Sequence, residues 1–146
     1  MINITEYRYF WEAMKETVAG IRTVMALTVD EEMGRRLQAL GRDDLPALFW
    51  LPPEADAEGN STADSLHERN SCVVYVMTKY DPQRSSALEA LETTLPIAEN
   101  LKAVLLRECC GRCGLLNIDP ASISTLPETR LYRNLAGWIV GFTAET

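Results

Sequence analysis

The last stretch of the chain, Arg130-Leu-Tyr-Arg-Asn-Leu-Ala-Gly-Trp-Ile-Val-Gly-Phe-Thr-Ala-Glu145, constrains the fold more than any other. It reads as a closing hairpin, Arg130 to Arg133 against Trp138 to Thr143 through Asn134-Leu-Ala-Gly137. Terminal segments fray unless they are tied into a sheet or core. Residues of this quality therefore mark a founding strand of the sheet, not a tail. Trp138, Val140 and Phe142 alternate with Ile139 and Gly141, so at a strand period of two at least one face packs inward. Apolar residues on both faces point to an interior strand, or to one covered by a partner.

Upstream, Ile4, Tyr7, Trp11, Met14 and Val18 recur at helical spacing and predict a helix from Ile4 to Ala19, capped by Asn3 or Thr5 and stopped at Gly20. Ile21 to Leu27 fits either an extension of that helix or a short strand. Thr28-Val-Asp-Glu31 has the spacing of a capping box and predicts a second helix from Val29 to Leu40. Leu45 to Leu51 reads as a buried strand ended by Pro52 and Pro53. Glu54 to Glu68 holds almost nothing to bury, and is expected to be an exposed polar loop or a hairpin excursion, residues 54–68. Asn70 to Tyr80 is dense in β-formers and predicts a central strand. Asp81-Pro82 suggests a helix start. Ala87, Leu88, Leu91, Leu95, Ala98, Leu101 and Leu105 then hold helical phase to Arg107, with a kink expected at Pro96. Leu115, Leu116 and Ile118 suggest a short extended piece, and Asp119 to Glu128 a loop.

Regular β-α alternation, which a doubly wound sheet needs, is missing from this order. It predicts an α+β domain spanning residues 1–146, with a mixed or mainly antiparallel sheet of about four to five strands and helices packed on one face. A chain of 146 residues suits one domain with a true core. The net charge of −7, with basic residues scattered, argues against a nucleic-acid partner. The absence of a signal-peptide pattern and of any long apolar run predicts a cytoplasmic protein without a membrane span.

The chemistry-bearing residues favour structural roles. Cys110-Gly-Arg-Cys113 has redox or half-zinc spacing, but it follows a helix, whose negative end opposes thiolate formation. Cys109 and Cys72 do not complete a regular ligand set, so the cluster Cys109 to Cys113 is read without metal, with Cys109 as a small buried hydrophobe. His67 lies in the polar segment, with Ser65 and Ser71 near it only in sequence. Asp30, Glu31 and Glu32 suit the first turn of a helix, and Asp43 and Asp44 a polar turn. No catalytic residue, cofactor or metal site is assigned. Phe49, Trp50, Trp138 and Phe142 fall on strands, where aromatics pack a core; on an uncovered sheet they would mark a subunit interface.

The layout resembles small proteins of prophage tail gene clusters and, more loosely, the tail-terminator and tail-completion proteins of long-tailed phages. The resemblance runs through the N-terminal helix, the strand Leu48-Phe-Trp-Leu-Pro-Pro53, the polar excursion, the β-rich Cys72 to Met77, the long helix, and the ending Leu135-Ala-Gly-Trp-Ile-Val-Gly-Phe142. It implies a non-enzymatic structural or assembly protein, homo-oligomeric and in contact with other tail proteins, with incorporation into a virion-like particle. Different classes of function would be a small stand-alone ligand-binding or regulatory module, or a zinc- or thiol-dependent enzyme.

Overall fold

A computed structural model of the chain describes residues 1–28, 30–58, 67–109 and 115–146, apart from the side chains of Glu31 and Glu108. Helix α1 (Ile4–Thr17) is capped by Asn3, whose side-chain oxygen accepts from the backbone N–H of Thr5 and Glu6 at 3.0 and 3.1 Å. Tyr7, Trp11 and Met14 form its buried stripe, while Ile4 stays exposed. Gly20, at φ +97°, turns the chain against the long helix that carries Ile97, which lies 3.0 Å from where a Cβ would stand. The ambiguous segment after it is a strand, β1 (Thr23–Ala26).

Helix α2 (Glu31–Ala39) is capped by Asp30 and not by Thr28. The Asp30 carboxylate accepts from the Met33 N–H at 2.9 Å, and the Thr28 hydroxyl donates to Asp30 at 2.9 Å. The expected start at Val29 lies outside the described residues. Strand β2 (Ala47–Trp50) pairs in parallel with β1 and antiparallel with β4 (His67–Lys79).

The polar segment 54–68 is corrected at both ends. Glu54–Glu58 is strand β3, paired antiparallel with β4 from Glu54↔Ser71 to Glu58↔His67. The segment is thus a hairpin excursion, not a loop; residues 59–66 lie outside the described residues. Backbone pairing needs no apolar side chains, and alternating Ala and acidic residues suit a strand at the sheet margin.

Helix α3 (Ala87–Cys109) begins five residues later than Asp81-Pro82 suggested. Asp81 instead closes a turn, accepting from Gln83 N–H at 3.0 Å, and the Ser86 hydroxyl accepts from Glu89 N–H at the true start. Pro96 lies inside this single helix. Strand β5 (Asn117–Ile118) follows, then β6 (Ser124–Tyr132), where a loop to Glu128 was expected, and β7 (Leu135–Glu145). Pro127 sits on β6, whose only strand neighbour among the described residues is β7, an edge position that tolerates a missing N–H.

All seven strands belong to one mixed sheet. Because β2 and β3 both pair with the same edge of β4, and β5 and β6 with the same edge of β7, the strands occupy five lanes, β1, β2/β3, β4, β7 and β5/β6. The sheet has more strands than the four to five expected, because Pro52-Pro53 and the 3-10 turn Pro120–Ser122 interrupt the second and fifth lanes.

The helices do not share one face. Tyr7, Trp11 and Met14 of α1 and Leu101, Val104 and Leu105 of α3 pack with Trp50, Val74, Val76, Val140 and Phe142. Met33 and Leu37 of α2 pack with Phe49, Met77 and Leu135 on the opposite face. The alternation of β2, Leu48 and Trp50 one way, Ala47 and Phe49 the other, feeds both clusters.

One position admits only glycine. A Cβ on Gly137 would stand 1.9 Å from the Val76 carbonyl oxygen and 2.9 Å from Met77 Cα, both backbone atoms of the neighbouring strand. At Gly141 it would meet the Ser124 hydroxyl at 3.1 Å, a side chain that can turn away. We expect Gly137→Ala to lower stability by at least the ~1–3 kcal/mol typical of overpacking. Gly141→Ala should cost under ~1 kcal/mol. Denaturant melts of the two variants check this; equal effects would contradict the close strand approach.

Candidate functional site

The four aromatic residues read as core, or as a subunit interface were the sheet uncovered, do not lie on an open surface. Phe49 is fully buried under α2, and Trp50 and Phe142 are buried on the opposite face. Tyr7 links them: its ring meets Trp50 edge-on at 5.5 Å and Trp11 at 5.7 Å, and Trp11 in turn contacts Phe142 at 6.2 Å. Trp138 is half-buried, and its indole Nε1 donates to the Leu91 carbonyl at 2.9 Å. Pro96 lacks the N–H that would bond Glu92 O, so the helix ladder is already interrupted beside that carbonyl. Three of these four residues are core, and the fourth ties β7 to α3.

Among the described residues, the sheet surface left open is on the α2 side. Cross-strand partners share a face, so the register Phe49↔Tyr75↔Ile139↔Leu126 places these side chains in one row. The next row is Val73↔Gly141↔Ser124. Helix α2 covers the Phe49 end, leaving Val73, Tyr75 and Ile139 half-exposed and Leu126 57% exposed. Burial, then the neighbouring Glu128 carboxylate, pushes the Tyr75 hydroxyl pKa upward, so the phenol stays neutral and can donate a hydrogen bond at the margin of the patch. Gly141 leaves the row low between Val73 and Ser124, which suits close approach by another surface. Periodicity did single out β7 as apolar on both faces, but it did not say which face the helices leave open.

A groove of about 530 Å³ opens where β4 leaves the sheet, between Leu45-Pro46, Thr78 to Pro82 and Asn134. Two of its lining polar groups, Lys79 and Asn134, have structural partners. Lys79 Nζ donates to the carbonyls of Gln38 and Leu40 at 3.2 and 2.5 Å, capping the C-terminal end of α2. Asn134 donates to the Tyr80 carbonyl at 2.8 Å. The arrangement offers a cleft with mainly apolar walls and no paired nucleophile and base among its lining residues.

The remaining sequence candidates are separated. His67 faces Glu58 at 3.9 Å, and Arg69 pairs with the same carboxylate at 3.0 Å, an exposed cross-strand cluster. Ser71 is four residues along the strand, roughly 13 Å away, beyond contact with His67, and Ser65 lies outside the described residues. Asp30 is a cap, Glu32 pairs with Arg36 at 3.3 Å, and Asp44 accepts from Gly41 N–H at 2.9 Å, while Asp43 is exposed. Cys72 and Cys109 are both buried in the α1/α3 cluster, and Cys110 and Cys113 lie outside the described residues. Among the described residues no three His, Cys, Asp or Glu groups are gathered as a metal ion would require, and no helix is long and apolar enough to cross a membrane.

No family model matches the chain, and no curated protein matches its sequence.

Burial pushes the Cys72 thiol up to about 11, with a smaller opposing contribution from the Tyr7 hydroxyl, and burial raises Tyr7 itself above its ordinary value. Both groups favour the protonated form in the fold: the Cys72 contribution to stability is full below pH 9.0 and is lost as pH rises through about 11, and that of Tyr7 is full below pH 10.0 and is lost only at higher pH. Denaturant melts should show falling stability over that window. At pH 8, peptide mapping should find Cys72 unalkylated by iodoacetamide in the folded protein and alkylated after unfolding; rapid labelling of the folded chain would contradict the burial.

Proposed function

We propose that the protein is a non-enzymatic structural or assembly component of a phage-like tail, acting through protein–protein contacts. The observation that carries this reading is the sheet face that α2 covers only at one end, with Val73, Tyr75, Ile139 and Leu126 in adjoining rows. A contiguous, partly exposed apolar patch with a polar margin is the physical form of a contact surface. The resemblance in layout to tail-terminator and tail-completion proteins supplies the identity of the partners: neighbouring tail proteins and further copies of this chain, met in the cytoplasm during particle assembly.

Deleting the coding sequence from its source genome and inducing particle production tests the proposal. We expect tailless or incomplete particles in electron micrographs, restored by the intact gene and not by Leu126→Asp, a substitution at an exposed position that should leave the thermal melt unchanged. Complete, infectious particles in the deletion strain would refute the assignment. A reading as a stand-alone ligand-binding module finds its support in the groove beside Lys79, where Lys79 and Asn134 are engaged in the fold. The open sheet face therefore favours assembly.

A further inference from the structure

The outward flank of α3 has a composition that its place in the fold does not require. Leu88, Leu95 and Leu106 are 61%, 40% and 45% exposed, although the helix buries a full apolar stripe elsewhere, through Ala90, Ile97, Leu101, Val104 and Leu105. Leu88 and Leu106 are eighteen residues apart, five helical turns, and so lie at one azimuth about 27 Å from each other. Glu92, Leu95, Glu99 and Lys102 lie along the same stripe between them.

This stripe is complementary to itself when reversed. An antiparallel copy related by a two-fold axis at residue 97 sets Leu88 against Leu106, and brings Glu92 level with Lys102 and Leu95 level with the Glu99 stem. Two further observations fit that register. Beside Leu106, a groove of about 350 Å³ runs between α3 and the 3-10 turn, lined by Ala103, Lys102, Pro120 and Ile123, where a protruding Leu88 from the second copy would seat. Lys102 donates to Glu99 within its own helix at 2.8 Å, leaving ammonium hydrogens for a second carboxylate, while Glu92 has no ion-pair partner among the described residues.

We propose that α3 is a self-association surface: two copies of this chain pair α3 to α3, antiparallel, with Leu88 of each in the groove beside Leu106 of the other and Glu92 of each on Lys102 of the other. The two-fold makes the contact isologous, so each pair occurs twice. One helix flank and a shallow groove form a small interface, and the dimer is concentration-dependent. The pairing uses a different surface from the open sheet face and does not rest on the tail-assembly reading.

Sedimentation equilibrium of the full chain tests it. The wild-type chain should follow a monomer–dimer equilibrium, and Leu88→Ser should weaken it by about tenfold. Glu92→Lys and Lys102→Glu should each weaken it by roughly three- to tenfold, because each creates two like-charge contacts. The double variant Glu92→Lys/Lys102→Glu should restore association to near the wild-type value. A chain monomeric throughout the concentration range, or a double variant no better than the single ones, overturns the proposal. Should a charge variant fail to fold, an equimolar mixture of Leu88→Cys and Leu106→Cys chains reads the orientation: a mixed 88–106 disulfide supports it, and preferential 88–88 linkage overturns it.

Discussion

The antiparallel ladder between β4 and β7 is the contact on which the other elements depend. It runs without interruption from Arg69↔Glu145 to Lys79↔Leu135, and every other strand except β1 is attached to one of its two outer edges. Its strands approach so closely at Gly137 that backbone from Val76 and Met77 occupies the space of a side chain. That approach fixes register, since a one-residue slip would send the apolar sets of both strands to the wrong faces and put Trp138 or Ala136 where only hydrogen fits. The ladder also gathers the chain's ends. Asn70, fully buried, accepts from Ile2 N–H at 3.3 Å and donates to the Ala144 carbonyl at 3.1 Å, tying the start of α1 to the last strand.

With the central pair fixed, the two faces diverge in how they are covered. Helices α1 and α3 together span the face carrying Trp50, Val74, Val140 and Phe142, and build there a core of aromatic edge contacts. The nine-residue α2 is too short to span the other. At ~1.5 Å per residue it reaches about 14 Å, against about 36 Å for the eleven residues of β7. The uncovered remainder is the patch around Tyr75 and Ile139, so the open face follows from helix length.

Much of this was legible locally. The stripe of α1, the Asn3 cap, the β-rich core of β4 and the two-faced apolar character of β7 all follow from periods of 3.6 and 2.0. Where the reading departed from the structure, a nonlocal partner had decided the outcome. Glu54 to Glu58 lacks large apolar side chains yet forms a strand, because β4 extends past Asn70 and offers a free edge. Ser124 to Glu128 joins β6 despite Pro127, because the edge of β7 is open to it. Leu88 and Leu95 were read into the buried stripe but point outward, since that stripe of α3 is set by Thr94, Ile97 and Leu101 and not by the leucines nearest its start.

The sequence by itself determined the alternation of side chains along each element, and with it the α+β class, the main strands and the helix phases, because those depend on backbone geometry within a few residues. Only the tertiary structure decided which alternating set is covered. Phe49, Trp50 and Phe142 became core, and Val73, Tyr75, Ile139 and Leu126 were left at the surface, although both sets are apolar residues on strands. Burial is a property of whatever element lands on a face, and that depends on crossovers such as the one that carries α2 to the far side of the sheet. Pairing partners, helix coverage and the close strand approach at Gly137 are set by contacts between residues distant in the chain, which no local pattern encodes.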